Sequence, residues 1–68
     1  MFTNAIGLLI NRGYLVVNHT PKQITLKNGN NTVTLIPTGK SNTCMLHHNN
    51  TQVKLNGTNG VNYIKTNF

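Results

Sequence analysis

Apolar residues recur at helical spacing only near the start of the chain. Phe2, Ala5, Ile6, Leu9 and Ile10 lie one, three or four positions apart, and Asn4, Gly7 and Asn11 occupy the other side. That is the pattern of an amphipathic helix with one buried stripe, and it predicts a helix over residues 3–13. Thr3 is the expected N-cap and Gly13 the expected residue just past the C-terminus, where a left-handed conformation ends many helices. Gly7 lowers local helix propensity by about 1 kcal/mol relative to Ala. Packing has to hold this helix in place.

From Tyr14 onward the period changes to two. The short, β-branched runs Tyr14–Thr20, Gln23–Lys27, Thr32–Ile36, Thr43–His48, Thr51–Leu55 and Val61–Thr66 are separated by turn chemistry, which predicts strands. Pro21-Lys22 suits the centre of a type I turn. Asn28-Gly29-Asn30-Asn31 reads as a hairpin loop, and Asn49-Asn50 as a two-residue turn with both residues at positive φ. Asn56–Gly60 is a further loop. Connections this short force antiparallel neighbours. The expected architecture is α+β: one N-terminal helix packed on an antiparallel β-meander of five to six short strands, in a single small domain over residues 1–68.

The strands also specify their faces. Ile24 and Leu26, Val33 and Leu35, and Val53 and Leu55 alternate with Thr25, Lys27, Thr32, Thr34, Gln52 and Lys54, so one face is apolar and the other polar. Leu15, Val17, Ile36 and Ile64 break the alternation. One helix of about eleven residues is roughly 16 Å long, too short to cover six strands at about 4.8 Å spacing. The remaining sheet either curls and covers itself or is covered by a second copy of the chain. Leu15, Val17, Ile36 and Ile64 are the expected contacts of such a homodimer.

Composition then narrows the chemistry. The 68 residues contain no Asp and no Glu, against six Lys+Arg, for a formal charge of +6. An average chain of this length would carry about eight carboxylates. Their absence excludes paired-carboxylate acid–base catalysis, a Ser-His-Asp triad and any carboxylate-held Mg²⁺ or Ca²⁺ site. The expectation is a protein that is not an enzyme and needs no cofactor. The single cysteine, Cys44, cannot form an intramolecular disulfide and suits a reducing, intracellular setting. Leu8-Leu9-Ile10 is far short of the roughly 20 apolar residues a membrane span requires, so no membrane partner is expected.

Three local patterns invite a chemical reading. Pro37-Thr38-Gly39-Lys40-Ser41 ends like a Walker A loop, but position 34 is Thr where the first Gly belongs, and a strand rather than a helix follows. What remains is one phosphate contact from Lys40 and the amides near Gly39. Cys44, His47 and His48 resemble metal ligands. On a strand, however, Cys44 and His48 are about 13 Å apart and His47 points the other way, so no metal site is expected. The cations Arg12, Lys22, Lys27, Lys40 and Lys54, with Thr25 and Thr34, are the candidate anion- or partner-binding residues; Lys65 completes the set of basic side chains. The polar face carries no aromatic residue on which bases would stack.

Ala5–Gly13, then Tyr14-Leu15-Val16-Val17 and a hairpin ending Thr34-Leu35-Ile36-Pro37, is similar to the opening of HicA-type RNA-interferase toxins. Those have a helix ending in Gly-aromatic and then a β-hairpin with a catalytic His. The similarity covers barely half the chain, and Gln23 stands near the place of that His. A closing helix is not expected here, and no residue role is carried over.

The expected function is that of a small binding protein with an anionic partner, either an acidic protein surface or nucleic acid bound without sequence specificity. The Asn-, Thr-, Lys- and Ile-rich composition of a short chain suggests a viral, phage-type accessory or inhibitor protein acting in a host cytoplasm. The alternatives are a protein that sequesters a small anionic ligand such as a nucleotide, and a structural or virion protein.

Overall fold

A computed structural model describes residues 1–40 and 42–68. Helix α1 (Phe2–Ile10) is followed by β1 (Leu15–Thr20), β2 (Gln23–Asn28), β3 (Asn31–Pro37), β4 (Thr43–His48) and β5 (Thr51–Asn56), and the chain closes with helix α2 (Gly57–Asn67). The five strands form one open antiparallel sheet in sequence order, β1-β2-β3-β4-β5. The class is α+β, as the periodicity predicts. Among the described residues no helix is long and apolar enough to cross a membrane.

The turns form for the reasons their residues suggest. Thr20 Oγ1 accepts hydrogen bonds from the amides of Lys22 and Gln23 at 3.2 Å each, closing the Pro21-Lys22 turn as a side-chain-capped turn. Asn28 pairs with Asn31 across Gly29-Asn30, and Gly29 has φ +61°. Asn49 and Asn50 have φ +48° and +63°, the two left-handed residues of a type I′ hairpin. At the end of α1 the Tyr14 amide reaches the Leu9 carbonyl and the Gly13 amide the Ile10 carbonyl. With Gly13 at φ +91° this is the Schellman closure, and it turns Tyr14 into the core. The N-cap is Met1 rather than Thr3, which lies inside the helix.

The principal correction concerns the C-terminus. Val61–Thr66, expected as a sixth strand, belongs to α2. Gly60, Ile64 and Phe68 lie four apart, and Ile64 and Gly60 are buried while Val61, Tyr63 and Phe68 pack against the core. The segment's own propensity is poor, with two glycines, three asparagines and two threonines among its eleven residues. Burial of that stripe therefore outweighs local preference. A helix does follow the strands, where the sequence pattern predicts none.

The core is a single layer between the two helices and one sheet face. Ile24, Leu26, Val33, Leu35, Cys44, Leu46 and Leu55 project from the strands onto Met1, Ala5, Leu9, Tyr14 and Ile64. Helix α1 lies against β3 and α2, and α2 also rests on β5. The second helix supplies the cover that one helix lacks, so the sheet neither curls onto itself nor leaves this face open.

Candidate functional site

The other sheet face is open. Strand register assigns its rows. Gln23, Ile36, Met45 and Lys54 form one row; Thr25, Thr34, His47 and Gln52 form the next; Lys27 and Thr32 lie beyond it. Lys27, Thr32, Gln52 and Lys54 are exposed, and Thr25, Thr34, Ile36, Met45 and His47 are half-buried by their neighbours. The Thr25 and Thr34 hydroxyls are 3.4 Å apart across the ladder. This is the polar face that the alternation predicts; among the described residues no Phe, Tyr or Trp stands on it, and His47 supplies its aromatic ring.

The cations do not gather into one patch. Lys27 on β2 and Lys54 on β5 are three strands and four residues apart in register, which separates them by about 20 Å on the flat of the sheet. Lys22 is in the β1–β2 turn and Lys40 in the β3–β4 connection, both at the Lys54 end. Arg12 follows α1 at the other end, where the Asn28 side-chain amide donates to its carbonyl at 3.2 Å. The Arg12 guanidinium donates to Leu8 O at 3.3 Å and so leans back on its own helix. A partner would therefore meet a broad positive field rather than a pocket of converging charges.

The Walker-like loop has no helix after it, since it leads directly into β4. Gly39 has φ +88°, but the Lys40 amide points to Thr38 Oγ1 at 3.4 Å. The Thr38 and Thr43 hydroxyls are also hydrogen-bonded to each other. Ser41 lies outside the described residues. The amide expected to face a phosphate is used to hold the loop.

Cys44, His47 and His48 are kept apart by the strand they share. Cys44 is fully buried beside Leu55, and burial pushes its thiol up while the N-terminal ammonium pulls it slightly down. His47 is on the open face. His48 is on the helix side, where its Nε2 is 2.9 Å from the Tyr63 hydroxyl and its ring meets Phe68 edge-on at 4.8 Å. Tyr14 completes this cluster through Phe68 at 5.9 Å. The aromatic side chains thus seal one end of the core.

Of the four expected dimer contacts, Ile64 is fully buried in α2 and belongs to the core of the chain itself. Ile36 is in the middle of the open face beside Met45. Leu15 and Val17 are on the edge strand β1, Leu15 paired with Lys27 and Val17 at a bulge. The three that remain do not form one surface. The edge strand is the feature the alternation only hinted at: all six of its residues are exposed. Leu15 is 69%, Val16 44% and Val17 55% exposed, and nearby Ile10 48%. Three consecutive apolar residues after the helix-ending glycine were its only sequence signal.

No protein family, curated protein or solved structure matches the chain. The functional reading therefore rests on the geometry and chemistry of these surfaces.

Proposed function

We propose that this chain is a non-enzymatic binding protein whose open sheet face engages an acidic protein surface, as a small phage-type accessory or inhibitor protein would in its host's cytoplasm. The observation that carries this is the composition of that face. Lys27, Lys54 and the polar row Thr25, Thr34, His47 and Gln52 lie uncovered, in a chain without a single side-chain carboxylate. An acidic surface meets no acidic side chain anywhere on it, which favours encounter and orientation more than raw affinity. Hydroxyl and carboxamide groups between the lysines supply hydrogen bonds to carboxylates. The face carries His47 but no Phe, Tyr or Trp, a thin stacking surface that favours protein over single-stranded nucleic acid, whose bases need one.

The test is a titration of labelled polyglutamate, and of a single-stranded oligonucleotide of equal charge, at two salt concentrations. Polyglutamate is expected to bind at about 20 mM salt and to weaken by an order of magnitude at about 200 mM, as screening shortens the reach of exposed charges. The double substitution Lys27→Gln with Lys54→Gln is expected to weaken it at least severalfold. Failure to bind either polyanion at low salt, or indifference to the two lysines, would overturn the proposal. Much tighter binding of the oligonucleotide would transfer the partner to nucleic acid.

A further inference from the structure

The edge strand β1 combines features that folded sheets ordinarily avoid together. Among the described residues no strand lies beside its outer side, and all six of its residues are exposed. It carries neither Lys nor Pro, and it presents Leu15, Val16 and Val17 to solvent with Ile10 close by in the chain. Lone exposed apolar residues are ordinary, but a contiguous run on an unpaired edge is a template for another strand. The opposite edge is different. There β5 carries Lys54 and Gln52, and α2 rests on it.

We propose that β1 takes up an extended apolar segment of the partner protein as a sixth strand, with acidic residues flanking that segment. This rests on the reading of the partner as an acidic protein and adds how it is held. Main-chain hydrogen bonds along the edge supply affinity, and the alternate side chains of the added strand contact Leu15 on one face and Val16 on the other. Charge argues for acidic flanks. Lys27 is paired directly with Leu15 and Arg12 precedes it, while Lys22 follows the far end of the strand, so cations stand at both ends of β1.

Three observations disfavour a second copy of this chain in that place. A two-fold antiparallel pairing over the whole strand sets Leu15 against Thr20, Val16 against His19 and Val17 against Asn18, apolar against polar throughout. Sliding the register to match the apolar residues leaves only 15–17 paired, and either arrangement brings like-charged chains of +6 together. The bulge at Val17 also adds local twist, which a rigid second edge matches poorly and a flexible segment follows.

The experiment maps binding by amide NMR and hydrogen exchange on the intact chain. The probe is a capped peptide of alternating valine and threonine with two glutamates at each end, and polyglutamate serves as the comparison. The proposal expects the valine–threonine peptide to slow exchange and shift amides within residues 15–20, where polyglutamate does not. Val16→Lys with Val17→Lys, both at exposed positions, is expected to weaken the peptide about tenfold, a 1.4 kcal/mol loss, with polyglutamate binding undiminished. Val17→Pro, at the bulge, is a second variant expected to reduce peptide protection. If the peptide instead perturbs only the Lys27–Lys54 face, as polyglutamate does, the strand inference is overturned while the acidic-partner reading stands. If neither probe binds, both fall. Protection of β1 without peptide, together with a doubled mass in light scattering, would assign the edge to a second copy and overturn the inference.

Discussion

At Gly60 the helix α2 comes so near the sheet that a Cβ would lie 2.8 Å from Met1 Sδ and 2.9 Å from Leu55 Cβ. The sulfur can swing aside, but the Leu55 Cβ is fixed to its strand and cannot. Gly60→Ala should therefore destabilise the fold by about 1–3 kcal/mol, the usual range for overpacking, although alanine favours the helical state. Urea unfolding followed by circular dichroism would show it, and an unchanged midpoint would mean that α2 tolerates being pushed off β5. In the sequence this glycine reads as part of a loop, because only the neighbouring element reveals that space is the reason for it. Asn49 and Asn50 are the contrasting case. Their positive φ values follow from side chains that tolerate the left-handed region, so local chemistry alone predicts that turn.

Among the elements, the strand boundaries were legible and the last helix was not. Thr43–His48 matches its expected range, and β2, β3 and β5 each differ from theirs by one or two residues. A hairpin's ends are set by its own turn residues, close in sequence. Helix α2 has no such local signal, and Val61, Tyr63 and Ile64 suit strand and helix alike until something covers one side of them. Its stability must come from burial. Ile64→Ala is expected to cost about 2–5 kcal/mol, the range for large-to-small changes in a closed core, and a peptide of residues 57–68 is expected to show no helical signal in water. A helical spectrum from the isolated peptide would show that propensity, and not the sheet beneath, makes this element.

For the molecule as a whole, the missing carboxylates bear on stability as well as on the proposed partner. Acid unfolding in most proteins reflects carboxylates that are held ionised in the native state and must accept protons as pH falls. With no Asp or Glu, no such side chain exists to bind extra protons on unfolding. The unfolding midpoint is expected to change little between pH 4.5 and pH 2.5 at equal ionic strength, since a chain-terminal carboxyl is the ordinary acid left to titrate there. A steep fall over that interval would contradict this account. The same one-sided charge presents no acidic side chain on any face, and on the proposed reading the open sheet face would meet an acidic partner by charge and the β1 edge by strand pairing.

By itself the sequence determined the periods, the turns, the polar and apolar sheet faces and the lack of acidic chemistry, because these depend on residues near one another or on composition. The Thr25–Thr34 pair and the opposed sides of His47 and His48 follow from period two and a short turn. Only the tertiary structure decided that Val61–Thr66 is helical, that Ile64 is core rather than interface, and that Leu15, Val16 and Val17 lie on an unpaired edge. Those outcomes depend on what lies across the core or beside the strand. Burial and pairing are relations between distant parts of the chain, and they turn the same kind of apolar residue into a covered core in one place and an exposed edge in another.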